Sequence, residues 1–197
     1  MTARVTIARE SIIAAAIEII REGGWEAVSA RGLASRLSAS TMPIYTAIGS
    51  MEALRTAVAE RAASLLLGYQ LKPRGKNQAL GMAIGYVAFA REEPRLFRFA
   101  IGAIGVPGKT KPGTPEEAMG LTRGTGASEV PGIKRVLETL ADPVTRSDFV
   151  LRSWIFTHGL AELIASGVFS MDDAEIRRHL EAAGGAFYRL EMEKGEA

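Results

Sequence analysis

In residues 7–22, Ile12, Ala15, Ala16, Ile19 and Ile20 fall at i, i+3, i+4, i+7 and i+8. That spacing lays them along one stripe of a helix, which must be buried against something. Thr6 is the expected N-cap and Gly23-Gly24 the stop. Ser29 then caps a short helix through Leu37, with Leu33, Ala34 and Leu37 turned inward. A helix of about two turns is not stable alone and must pack on its neighbours. The next stretch, Ser38-Ala-Ser-Thr-Met-Pro-Ile-Tyr-Thr-Ala-Ile-Gly-Ser50, crowds small, polar and breaker residues between two periodic segments. Ser38-Ala39 reads as a tight turn and Ser40 as an N-cap. Thr41, Met42 and Pro43 then form a first helical turn, where proline is tolerated because those amides have no intrahelical partner. Ile44 and Ile48, four apart, anchor this helix, leaving Thr41, Met42, Pro43 and Thr46 outward. Gly49 ends it, Ser50 caps again, and Met51 to about Leu71 is a longer helix carrying Leu54, Val58, Ala62 and Leu65. Two short helices joined by a tight turn, the second with a small polar outer face, are a helix-turn-helix layout.

Charge does not by itself select a partner for that layout. The 197-residue chain has a formal net charge of +2, and residues 1–61 hold seven Arg against six Glu. A nucleic-acid-binding domain is usually more basic, so the outward residues of the third helix carry more weight than the total. Pairing of two copies would double the contact set. On pattern alone a helical subdomain without nucleic acid fits as well.

The residues that build this layout resemble the N-terminal domain of tetracycline-repressor (TetR) family regulators. The resemblance lies in Ile12-Ile-Ala-Ala-Ala-Ile-Glu-Ile-Ile20, Gly23-Gly24, Val28-Ser29, Leu33-Ala34 and Ser40 through Leu54, in matching order over about fifty residues. Tyr45 stands where the family has its recognition-helix tyrosine and Ile48 where it usually has Phe. Met51 replaces a Lys common at the start of the fourth helix, which removes one phosphate contact. Gly32 takes a position usually acidic or polar, so no capping box closes on Ser29. Further on, Trp154-Ile-Phe-Thr-His158-Gly159-Leu160 resembles the Trp…His-Gly signature of one class of TetR C-terminal domain.

The resemblance implies an all-α protein. Its helix-turn-helix domain would span residues 1–50, a connecting helix 51–72, and a ligand-binding and dimerisation domain 73–197. The joint is Lys72-Pro-Arg-Gly-Lys76, charged and rich in breakers. Beyond it, a helix from Lys76 or Asn77 to about Arg91 carries Leu80, Ile84, Val87 and Ala88. Glu93-Pro94 opens another over Leu96-Phe-Arg-Phe-Ala-Ile101. The segment from Gly102 to Gly132 holds eight Gly and four Pro. It reads as mostly loop, with one helical turn at Pro115-Glu-Glu-Ala-Met-Gly. A short helix over Ile133–Leu140 follows, then a long one capped by Asp142 with Pro143 at its first position, running to about Ser166. Ser170-Met-Asp-Asp173 supplies a cap and acidic residues for the last helix, to about Glu193. Gly159, Ala161, Ala165 and Ala182-Ala-Gly-Gly185 suit close helix contact, and in the family such a pair forms a four-helix homodimer interface.

Other functional classes are poorly served. The two His lie on separate helices about twenty residues apart, there is no HExxH or paired-carboxylate motif, and Cys is absent. Catalysis needs a convergent set of titratable groups, so no enzyme, metal site or cofactor is expected. The longest apolar stretches, such as Leu80–Ala90, run to about 11 residues, short of the ~20 that span a bilayer. No signal peptide is recognisable, and a cytoplasmic protein without membrane contact is expected.

Partners and sites follow from the resemblance. The expected partner is double-stranded DNA carrying an inverted-repeat operator. Thr41, Met42, Pro43 and Thr46 would lie nearest the bases, with Ser29, Arg31, Ser40, Tyr45 and Ser50 on phosphates. The expected effector is a small hydrophobic compound held among Met82, Tyr86, Phe89, Phe97, Trp154 and His158, with Tyr86 or His158 giving the orienting hydrogen bond. The same aromatic residues would also serve as plain core, and a helical small-molecule-binding protein or enzyme without DNA affinity is the alternative.

Overall fold

The computed structural model describes residues 7–104, 138 and 143–195. These form eight α-helices: α1 (Arg9–Gly23), α2 (Ala30–Arg36), α3 (Thr41–Ile48), α4 (Met51–Leu71), α5 (Gln78–Glu92), α6 (Pro94–Ile104), α7 (Pro143–Ala165) and α8 (Asp173–Gly195). A single 3₁₀ turn, Trp25–Ala27, links α1 to α2. Among the described residues no helix is long and apolar enough to cross a membrane. The chain divides into two compact units. The first holds residues 1–65 and 93–105, the second 66–92 and 106–197.

In the first unit the apolar stripe of α1 is buried as its spacing requires: Ile12, Ala15, Ala16, Ile19 and Ile20 are all in the core. Ala8, not Thr6, occupies the N-cap position, and it makes no side-chain cap; Thr6 lies outside the described residues. Gly24, at φ 77°, ends the helix in a conformation that side-chain-bearing residues rarely adopt. Leu33 and Ala34 of α2 are buried, while Leu37 is only half-buried. α4 has the expected bounds, and Leu54, Val58 and Ala62 are in the core. The stripe continues to Leu66 and leaves Leu65 half-buried. A 3.6-residue period places the next inward position four residues past Ala62.

α6 belongs to this unit, although it lies in sequence within the segment expected to follow the joint. It packs on α1. Arg21 makes a two-pronged ion pair to Glu93, at 2.7 to 3.1 Å, and Arg95 donates to the Arg21 carbonyl at 2.9 Å. Trp25 stacks on Phe99 with centroids 5.2 Å apart, and the Arg55 guanidinium sits 5.6 Å from the Trp25 ring centre. Leu96 and Phe97 are fully buried.

The second unit is built around α5. Gly81, Met82 and every residue from Ile84 to Ala90 are buried, as befits a helix covered on several sides, here by α7 and α8. Asn77 caps it through Oδ1, which accepts from the Leu80 amide at 3.1 Å. The last helix is capped by Asp172: its Oδ1 accepts from the Glu175 amide at 2.8 Å, and Glu175 accepts from the Asp172 amide at 3.0 Å. This reciprocal pair is a capping box, so the cap lies two residues past Ser170. α7 and α8 are joined by edge-to-face pairs Phe149–Tyr188 and Phe156–Phe187 and by an ion pair between Arg152 and buried Glu191. Asp142, the Pro115 turn and most of Gly102–Gly132 lie outside the described residues. So does the 133–140 segment, apart from Glu138, which is helical.

Candidate nucleic-acid interface and effector cluster

The turn between α2 and α3 runs from Leu37 to Ser40. Ser38 takes φ 51°, which is uncommon for a residue with a side chain. The turn is closed by the Ala39 amide donating to the Ala34 carbonyl at 2.8 Å and the Ser38 amide donating to Ser35 at 3.2 Å. α3 leaves this turn with Ile44 and Ile48 buried. Its other face is open: Met42 is 72 % and Tyr45 44 % exposed, large values for such apolar side chains. Thr46 is also exposed, and Thr41 and Pro43 are half-exposed. Gly49, at φ 77°, stops the helix.

Hydroxyl usage around this face decides what each residue has left to offer. Ser29 Oγ accepts from the Gly32 amide at 3.1 Å and Ser50 Oγ from the Ala53 amide at 3.1 Å. Both keep the O–H as a donor for an anion, beside helix N-termini that favour negative charge. Ser40 sits at the N-cap position of α3 but makes no cap with its side chain, so its hydroxyl is not committed there. Thr46 Oγ1 donates to the Met42 carbonyl at 3.0 Å; in that state it shows a methyl and an acceptor. Arg31 is exposed on α2. Thus Ser29, Arg31, Ser40, Thr41, Met42, Pro43, Tyr45, Thr46 and Ser50 all reach the surface of the first unit.

The six residues expected to hold an effector are distributed differently. Tyr86 on α5 and His158 on α7 meet, with the phenol oxygen 2.9 Å from Nδ1. Trp154 stacks on His158, with centroids 5.4 Å apart and planes 14° from parallel. Burial, reinforced by the charge of Glu162, pushes the Tyr86 phenol well above its ordinary range and keeps it protonated. Phe89 instead meets Tyr69 edge-on at 5.2 Å, and Met82 is buried on α5. Phe97 is in the core of the first unit. Glu162 was absent from the expected set; its place on α7, four residues after His158, was the available signal.

No protein-family model matches this sequence, and no curated protein sequence matches it significantly. Solved structures do. A Rhodococcus sp. RHA1 protein of unknown function is similar over 96 % of this chain and 98 % of its own, at 20 % identity and a TM-score of 0.64. A TetR-like transcriptional regulator from Rhodococcus sp. RHA1 is similar over 92 % of this chain and 96 % of its own, at 15 % identity and a TM-score of 0.59. The fold is all-helical and TetR-like.

Proposed function

We propose that this chain is a cytoplasmic DNA-binding transcription regulator, a repressor that leaves an inverted-repeat operator when a small hydrophobic ligand binds. The observation that carries the reading is α3: a short helix anchored by Ile44 and Ile48, with Met42, Tyr45 and Thr46 exposed on its outer face. Such a helix fits a major groove, with Thr41, Met42, Pro43 and Thr46 toward base edges. Met42 and Pro43 offer only apolar contact there, for example to thymine methyls. Ser29, Arg31, Ser40, Tyr45 and Ser50 hold phosphates. Tyr45→Phe should weaken binding to all duplexes alike, by roughly fivefold to tenfold for one hydrogen bond. Thr46→Ala should also change which site is preferred. A gel-shift assay in which both variants bound the operator like the parent would contradict this placement.

The proposed assembly is a homodimer through α7 and α8. Ile155 and Leu163 are exposed on α7 with Gly159 between them at four-residue spacing. At both Gly159 and Gly184 an added Cβ would meet nothing within 4 Å. A face that is apolar, small and open suits a second copy of the same pair. Ala183→Glu or Gly184→Glu should place a charge in that contact and abolish dimers. Light scattering that found the parent monomeric at micromolar concentration would overturn the assembly.

A further inference from the structure

Trp154 carries a buried polar atom. Its indole Nε1 has no solvent access and no hydrogen-bond acceptor among the described residues. An indole N–H can only donate. Buried polar groups without a partner are rare, because each forfeits its hydration and receives nothing in return. The ring itself is held: His158 stacks on it, and His158 is in turn bonded to buried Tyr86. The donor is therefore fixed in place by α5 and α7 together, at one end of a chain of three ring side chains.

We infer that this N–H is the group that reads the effector, and that the effector offers it an oxygen acceptor, such as a ketone or ether oxygen, on an otherwise apolar frame. The inference rests on the proposal that the second unit binds an effector. It narrows the chemistry: the partner must accept, since an indole N–H can only donate. Ser153 Oγ is also buried without a partner among the described residues. A hydroxyl both gives and accepts, so it tolerates this ligand class without selecting it.

Trp154→Phe keeps a flat ring on His158 and removes the donor together with part of the indole's apolar surface. The comparison is therefore made within each variant, between ligands, on the full-length chain. With ligand, binding is titrated with matched pairs that differ by one oxygen, namely 1-tetralone against tetralin and benzophenone against diphenylmethane. The parent should prefer the ketone of a pair by about tenfold, the worth of one well-made hydrogen bond, and the variant should bind both members alike. Equal binding of ketone and hydrocarbon by the parent would refute the acceptor requirement while leaving effector binding intact. No binding of any of the four would count against effector binding by this unit, and the inference would fall with it.

Discussion

Gly85→Ala will lower the melting temperature by roughly 6–12 °C, the effect of about 3 kcal/mol in a chain of this size. α5 meets the end of α4 at this glycine. A Cβ there would lie 2.3 Å from the Tyr69 carbonyl oxygen and 2.7 Å from Gln70 Cα. Those are backbone atoms of a helix end and cannot swing aside as a side chain tip would, so the helices must separate. Arg74 Nη1 bonds to the same Tyr69 carbonyl and would lie 2.8 Å from the new carbon, so this bond too would be disturbed. Gly81, one turn earlier, is the control. Its added Cβ would meet Arg74 Cβ at 3.5 Å, an ordinary contact, and alanine is the better helix former. Gly81→Ala should therefore be neutral or slightly stabilising. Thermal denaturation in which Gly85→Ala stayed within 2 °C of the parent would contradict the close approach of α4 and α5.

Arg152→Ala will be of similar size, about 3 kcal/mol or more. Glu191 lies on the last helix with none of its side chain exposed, and its carboxylate is paired with the Arg152 guanidinium of α7. Arg152 also donates to Asp148 at 3.0 Å. Removing the guanidinium takes away a counter-charge from a carboxylate that water does not reach, and this desolvation is what makes breaking such a pair expensive. Replacing both partners by apolar residues of similar volume, Arg152→Met with Glu191→Met, should recover most of the loss, because then no buried charge remains. Urea denaturation of the single and double variants separates the two cases. A double variant no more stable than Arg152→Ala would show that the pair does more than satisfy itself.

Elements carried by local pattern could be read from the chain. The α4 bounds, the Ile44 and Ile48 anchors and the Ser29 and Ser50 caps each depend on residues within one or two turns, where spacing and capping chemistry decide. At the end of the α4 stripe the buried position is Leu66 and not Leu65, because an apolar triplet, Leu65-Leu66-Leu67, hides the phase of a helix. What local pattern cannot show is the partner of an element. The amphipathic α6 reads the same whichever unit it joins, and its placement rests on Arg21, Trp25, Glu93 and Phe99 meeting across some seventy residues of sequence. Glu191 reads in sequence as one more charge of a polar helix; its pairing with Arg152, on another helix, is not visible locally. Among the expected effector residues, Tyr86, His158 and Trp154 come together, while Phe97 does not lie in their unit, since the fold of α6 and not its composition determines what it faces.

Whether α3 reads DNA is decided by selecting bound duplexes from a random pool with the purified full-length chain, at about 0.1 M salt. The proposed function predicts enrichment of one inverted repeat, with half-sites separated by about one helical turn of DNA or a multiple of it. Affinity for that repeat should fall steeply as salt rises, as phosphate contacts require, and Thr46→Ala should select an altered half-site. A pool that stays random, or an enriched sequence without two-fold symmetry that Tyr45→Phe and Thr46→Ala bind as well as the parent does, would contradict it.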